Sequence, residues 1–141
     1  MLKRVLAPFE NKCYALLRIV TGLMFSFHGM QKMFGVLGKA VKFGDNPQAW
    51  IGGVIELATG LAIALGLFTR WAAFIASGMM AVAYWQFHVG NEKLHGIAKV
   101  LPGTNGGEPA VLYCFLFLYM ACKGAGPCSV DERKSRKVDA A

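Results

Sequence analysis

Arg18, His28 and Lys32 lie inside one apolar run, and Glu56 lies inside the next. Together these residue types suit proton handling. An imidazole titrates near neutral pH, a carboxylate accepts a proton or a hydrogen bond, and an ammonium donates one. Facing lipid they would be costly, so they must face other helices or a wet cavity. On one helix, Arg18, Gly22, Phe25, Gly29 and Lys32 share a stripe, with His28 beside it one turn before Lys32. In the next run Gly52, Glu56, Gly60 and Ile63 share a stripe, flanked by Gly53 and Thr59. Small residues on both stripes let two helices approach closely.

The elements that must carry these groups are four apolar runs, at about residues 13–34, 49–68, 71–89 and 109–125. The 141 residues are 55% hydrophobic and only 16% charged, with a mean hydropathy of +0.44. A soluble domain of this size is less apolar. The expected architecture is an all-α membrane protein, an antiparallel four-transmembrane-helix bundle forming a single integral membrane domain over residues 1–141. That leaves no room for a separate soluble catalytic domain. The short Thr69-Arg70 turn makes the second and third runs antiparallel neighbours, and Pro109 suits the first turn of the last helix. Tyr84-Trp85-Gln86-Phe87-His88 is expected to form an interfacial belt. The basic start, Lys3 and Arg4, leads into an apolar run with no small-x-small cleavage site, so it is expected to be retained as the first span. The charged tail 127–141 is expected to be mobile.

The formal charge of +7 is read as basic flanks of membrane spans rather than as a nucleic-acid surface. Leaving out Arg18, the terminal side carries nine basic residues: Lys3, Arg4, Lys12, Arg70, Lys123, Arg133, Lys134, Arg136 and Lys137. The other side carries five: Lys32, Lys39, Lys42, Lys93 and Lys99. The bias puts both termini in the cytoplasm, across a bacterial-type inner membrane. Cys13, Cys114, Cys122 and Cys128 form no Cys-x-x-Cys pair, and read as small apolar residues at helix ends.

Depth then decides which polar groups can meet. His28 lies roughly 9 Å, and Glu56 roughly 10 Å, from the outer ends of their helices at 1.5 Å per residue. They are expected to pair at matching depth, with Lys32 snorkelling outward. Tyr113, Tyr84, Gln86, His88 and Glu108 belong to the same half. Arg18 is roughly 24 Å from the outer end and is expected at the inner interface, near Thr69, Arg70 or lipid phosphate; on that reading lysine would replace it with little loss. The outer cluster of His28, Lys32 and Glu56, with Tyr113, has two readings. The groups satisfy one another and fix packing, or they line a pocket for a polar headgroup or a proton path. Arg18 and Glu108 are expected to be structural polar residues. Haem ligation by His28 and His88 is disfavoured by their different depths. His28, His88, His95 and Glu56 have no recognisable metal-site spacing, and no nucleotide loop or nucleophile elbow is present.

Arg18-x3-Gly22-x2-Phe25-x2-His28-Gly29-x2-Lys32-x2-Gly35 resembles the opening signature of the DoxX family. Glu56-x3-Gly60-x5-Gly66-x2-Thr69-Arg70-x-Ala72-Ala73 resembles its second block. Asn105-Gly106-Gly107-Glu108 and Gly126-Pro127-x-Ser129-Val130-Asp131 resemble its third and fourth, so the likeness runs from about residue 14 to 131. Cys128 departs from the pattern, where an aromatic or a glycine is more usual. The resemblance implies a four-helix inner-membrane protein, and the family name comes from a subunit associated with thiosulfate:quinone oxidoreductase. It therefore implies a membrane subunit of a quinone-linked redox system, at most an oxidoreductase subunit beside a redox-active partner protein. No flavin, haem or iron–sulfur motif gives this chain a cofactor of its own; a quinone is the ligand in view. The alternative is a non-catalytic accessory subunit of a larger membrane complex. A proton-coupled transporter using Glu56 ranks third, for want of repeat symmetry.

Overall fold

The computed structural model describes residues 2–38, 40–90 and 94–138. Every regular element among them is helical. A short lead, α1 (Leu2–Leu6) and a 3-10 turn (Ala7–Phe9), runs into α2 (Glu10–Phe34). Then come α3 (Pro47–Leu65), α4 (Thr69–Ala83), a short α5 (Pro102–Asn105), α6 (Glu108–Lys123) and α7 (Val130–Val138). The helices cover the four apolar runs, but not with equal length. Arg4–Phe34 and Pro47–Leu65 are long and apolar enough to cross a membrane. At 15 and 16 residues, α4 and α6 fall short of the ~20 that a straight span needs. A π-helical turn, Tyr84–Val89, continues directly from α4. Of the basic residues weighed for orientation, Lys39 and Lys93 lie outside the described residues.

Local chemistry sets the helix ends. Asn46 caps α3 by accepting the Ala49 amide at 2.9 Å, and Pro47 occupies the first turn. Gly35 and Gly66 end α2 and α3 in left-handed conformation, which glycine adopts without steric cost.

The closest contact is between α2 and α3, and glycine makes it. A Cβ added at Gly22 would lie 2.5 Å from the Ala64 amide nitrogen, and one at Gly60 2.5 Å from that of Ser26. Gly29 meets the backbone of Gly53 and Leu57 in the same way. As positions on α2 rise by seven, from Gly22 to Gly29, their partners on α3 fall by seven, from Gly60 to Gly53, which is an antiparallel register. The α3 contact is made by Gly53, not by Gly52 as its stripe predicted; nothing stands within 4 Å of an added Gly52 Cβ. Helix α4 packs on α3 and, more extensively, on α6, through buried Ala72, Ala73 and Ala76. There the Ser77 hydroxyl donates to the Cys114 carbonyl at 2.8 Å. An aromatic layer ties α2 to α6: Phe25 lies 4.7 Å from Phe117 and 5.4 Å from Tyr113, centroid to centroid.

The tail departs from expectation. Residues 130–138 form α7, and the segment before it is tied down. Tyr14 donates from its hydroxyl to the Gly124 carbonyl, and Ser129 is buried against Gly66. The expectation of mobility came from charge density, which says nothing of capping partners elsewhere in the fold.

Because the α2–α3 contact is backbone on backbone, Gly22→Leu has nowhere to place its side chain. Thermal unfolding in detergent should show a loss of about 1–3 kcal/mol or outright failure to fold. Gly52→Ala should leave the melting temperature equal or slightly higher, since alanine favours the helix and meets no neighbour.

Candidate functional site

Polar side chains gather at two levels of the α2–α3 seam. Near the C-terminal end of α2, Lys32 donates from Nζ to Glu56 Oε1 at 2.6 Å. Glu56 is 4% exposed, and its second oxygen, Oε2, is buried with no hydrogen-bond partner among the described residues. Sequence depth paired Glu56 with His28, but the partner is Lys32. The stem of Lys32 lies over Gly53, where the absent side chain leaves room, and so reaches back one turn to the carboxylate. It does not snorkel away. His28 is exposed and turns toward α6, its ring edge-on to Tyr113 at 6.5 Å. His28 and Glu56 nonetheless line one cleft of about 220 Å³ with Gln31, Lys32 and Gly38. A second cavity of about 310 Å³, between α3 and the end of α4, also has Lys32 and Glu56 in its wall.

The expected cluster is thus partly assembled. Lys32 and Glu56 are in contact, His28 stands at the rim, and Tyr113 touches only the His28 ring and the aromatic layer. Glu108 is exposed in the first turn of α6, where a carboxylate complements the helix dipole. Of the expected belt residues, Trp85 and Phe87 are exposed, while Tyr84 and His88 are drawn into a polar knot. Tyr84 donates to the Val100 carbonyl and stacks on His88, while His88 Nδ1 lies 3.2 Å from the Asn105 carbonyl.

At the other level, beside the C-terminal end of α3, Arg18 is fully buried. It was expected near Thr69, Arg70 or lipid phosphate; its partners are backbone carbonyls. Nη1 donates to Ile63 and Ala64 at 2.6 and 2.7 Å, in the last turn of α3. Nη2 donates to Cys128 at 2.9 Å and to Pro127 at 3.4 Å. A cation at a helix C-terminus meets both unpaired carbonyls and the negative end of the dipole. Five-donor planar geometry lets one residue join two segments, which an ammonium does poorly.

Asp131 completes this level, and the sequence reading gave it no role beyond the closing motif. Its carboxylate accepts the Phe68 and Thr69 amides at 2.9 Å each and the Thr69 hydroxyl at 3.0 Å, capping α4 from a distant segment. In return its own amide donates to the Gly66 carbonyl at 2.9 Å. Phe68, left-handed at φ 47°, is held in that unusual conformation by these bonds. Partial burial alone would raise the Asp131 pKa, but the Thr69 and Phe68 amides, the Thr69 hydroxyl and nearby Lys134 together hold it below the ordinary value. Arg70 serves α6 likewise, donating to the Ala121 and Cys122 carbonyls.

The Asp131 shift carries a sign. With a folded pKa below the ordinary 3.8, its stabilisation is complete above that value and is lost as pH falls through the lower, folded one. Asp131→Asn should cost about 0.5–2 kcal/mol at pH 7 and flatten the acid limb of the stability profile. Protease cleavage of the tail, followed from pH 7 to pH 3, reads both effects. In the same assay Arg18→Lys should release the tail and cost at least about 1.5–3 kcal/mol, because one ammonium cannot bridge both segments.

The DoxX family profile matches residues 13–89, which contain Arg18, His28, Lys32, Glu56 and the Thr69-Arg70 corner. The likeness seen in the later motifs lies beyond that match. A curated relative, described as an uncharacterized protein of Haemophilus influenzae, is 43% identical over 127 residues, covering 87% of this chain and 91% of its own length. No solved structure matches. The chain belongs to the DoxX family of membrane-associated proteins.

Proposed function

We propose that the chain is a four-helix inner-membrane subunit that serves a redox-active partner by holding a quinone-type headgroup, or relaying protons, at the Lys32–Glu56 pair. The observation that carries this reading is the buried Glu56 carboxylate, with one oxygen on Lys32, the other without a partner, and a cavity on either side. A carboxylate so placed is costly unless it is used. The 310 Å³ cavity is of a size for a small ring, with apolar walls and a polar end, so the residues fit such a headgroup. In this reading Glu56 orients or deprotonates the bound group, Lys32 tunes the carboxylate, and His28 carries protons between the cleft and the outer face. Tyr113 fixes the His28 ring. The quinone supplies the electron chemistry.

The distribution of side chains supports four spans. Leu16 and Leu23 on α2, Ile51 and Leu61 on α3, Trp71 and Phe74 on α4, and Leu112 and Phe115 on α6 are all exposed. Arg18, Glu56, Thr69 and Ser77 are buried. Apolar outside on all four helices, with polar groups inside on α2, α3 and α4, suits lipid as solvent. With its π-turn, α4 covers residues 69–89, enough for a span, and α6 fits as a shorter one against α4. The basic terminal side supports cytoplasmic termini.

A second reading has its own observation. A groove of about 450 Å³ between α4 and α6, lined by Trp71, Phe74, Leu118 and Ala121, would accept a helix of a neighbouring membrane subunit. That suits a non-catalytic accessory role.

Glu56→Gln separates the two. It keeps the shape of the site, so assembly with the host system should survive while quinone-linked turnover falls at least tenfold. Full turnover would reduce the pair to a packing device. Lys32→Met alone strands the carboxylate and should cost about 3–5 kcal/mol, most of it recovered in the Lys32→Met/Glu56→Gln double variant. For orientation, an impermeant maleimide on intact cells should label Ile97→Cys and spare Ser135→Cys in a cysteine-free background. The reverse pattern would place the pair in the cytoplasmic half.

A further inference from the structure

Two cavities share the Lys32–Glu56 pair as a common wall, and their other walls differ. The first, beside His28, Gln31 and Gly38, is open and lined mostly by residues with polar side chains. The second is a slot walled by Gly52, Met79, Met80 and Phe87, and bridged at one end by a hydrogen bond between Gln48 and Gln86. We propose that this slot, and not the polar cleft, seats the ring, and that it selects the reduced, hydroxyl-bearing form of a lipid-soluble ring over the oxidised, carbonyl form. The inference rests on the reading of the pair as the holder of a headgroup.

Size favours the slot. Its 310 Å³ reaches the range of small-ligand pockets, which begins at about 300 Å³, whereas the 220 Å³ cleft does not. Wall chemistry favours it too. Thioethers and an aromatic edge make good contacts with a flat ring, and methionine adapts to its outline.

The choice of redox form comes from the unpartnered oxygen. Glu56 Oε1 already accepts from Lys32, while Oε2 is shielded from solvent and has no donor. A carboxylate oxygen only accepts, so it needs an N–H or O–H. A ring carbonyl also only accepts and would face Oε2 lone pair to lone pair. Once a turn of the carboxylate brings Oε2 to the wall of the slot, a ring hydroxyl donates to it, and the hydroxyl oxygen accepts a second proton of the Lys32 ammonium. One hydroxyl therefore satisfies both members of the pair. From the same carboxylate the polar cleft leads past His28 to the outer face, a route for a proton that does not cross the bound ring.

Equilibrium dialysis tests the proposal on the full chain in lipid nanodiscs under argon, with a decyl-substituted benzoquinone and its hydroquinone as probes. The hydroquinone should bind at least tenfold tighter. Gly52→Leu, whose Cβ meets no neighbour and whose position lines the slot, should weaken hydroquinone binding at least tenfold. Ala49→Leu, on the same wall, serves if Gly52→Leu fails to fold. Glu56→Gln, whose amide donates to a carbonyl, should bring the preference between the two forms close to one. Equal binding of both forms by the unaltered protein would overturn the selection of the reduced form, and hydroquinone binding untouched by both leucine variants would overturn the slot; either result leaves the headgroup reading standing. Binding of neither form would remove the headgroup reading itself and the slot with it.

Discussion

The two deepest charges of this molecule, Arg18 and Glu56, both hang on the distance between α2 and α3. Gly22, Gly29, Gly53 and Gly60 bring two backbones together where any side chain would hold them apart. That closeness puts Arg18 within reach of the last-turn carbonyls of α3 at one end, and lets Lys32 cross Gly53 to Glu56 at the other. An antiparallel register fixes both ends at once. Wider separation would strand a guanidinium and a carboxylate together, and each is costly to bury alone. The small residues are therefore a condition for the charges, not merely a packing preference.

The buried or half-buried charges are handled in three ways. Arg18 finds the carbonyl ends of a helix and a turn, with no carboxylate among its hydrogen-bond partners. Asp131 does the converse, offering a carboxylate to the amide end of α4. Between them they close the corner from α3 to α4 with the tail, and satisfy the backbone groups that helix ends leave open. Glu56 instead uses the opposite charge of Lys32 and, among the buried side chains of the described residues, is the one that keeps an oxygen unsatisfied. Arg18 also retains an unpartnered Nε, but four carbonyls surround its other nitrogens. The incomplete acceptor is at Glu56.

Much of this was legible in the residues. Period and composition located the four helices, and the α2 stripe named Gly22, Phe25 and Gly29 as the buried face, because spacing on a regular helix is fixed. The partner of Glu56 was not legible. Depth along an axis compares Cα positions, whereas a lysine stem spans more than a turn, and only the neighbouring glycine gives it a path. Gly52 and Gly53 were indistinguishable by type, and the choice between them is a rotation of about 100° set by packing on α2. The tail was misread because Asp131 caps an element 62 residues away in sequence, and no local pattern reports such a contact. The motif Gly126-Pro127-x-Ser129-Val130-Asp131 was the one signal that the segment has fixed geometry.

The slot beside Glu56 is a product of the same packing. Having turned Gly53 and Gly60 toward α2, α3 presents Gly52 on its other flank, and there no neighbour fills the space. Opposite it, α4 holds its α-helical course only to Ala83 and then widens into the π-turn. The extra residue per turn rotates the side chains beyond Ala83, and Gln86 and Phe87 come into the wall of the slot. Tyr84 and His88, on the same turn, are tied to the 100–105 segment and hold that geometry in place. A widened turn is less favourable than continued α-helix, and the bonds of Tyr84 and His88 to the 100–105 segment offset that cost.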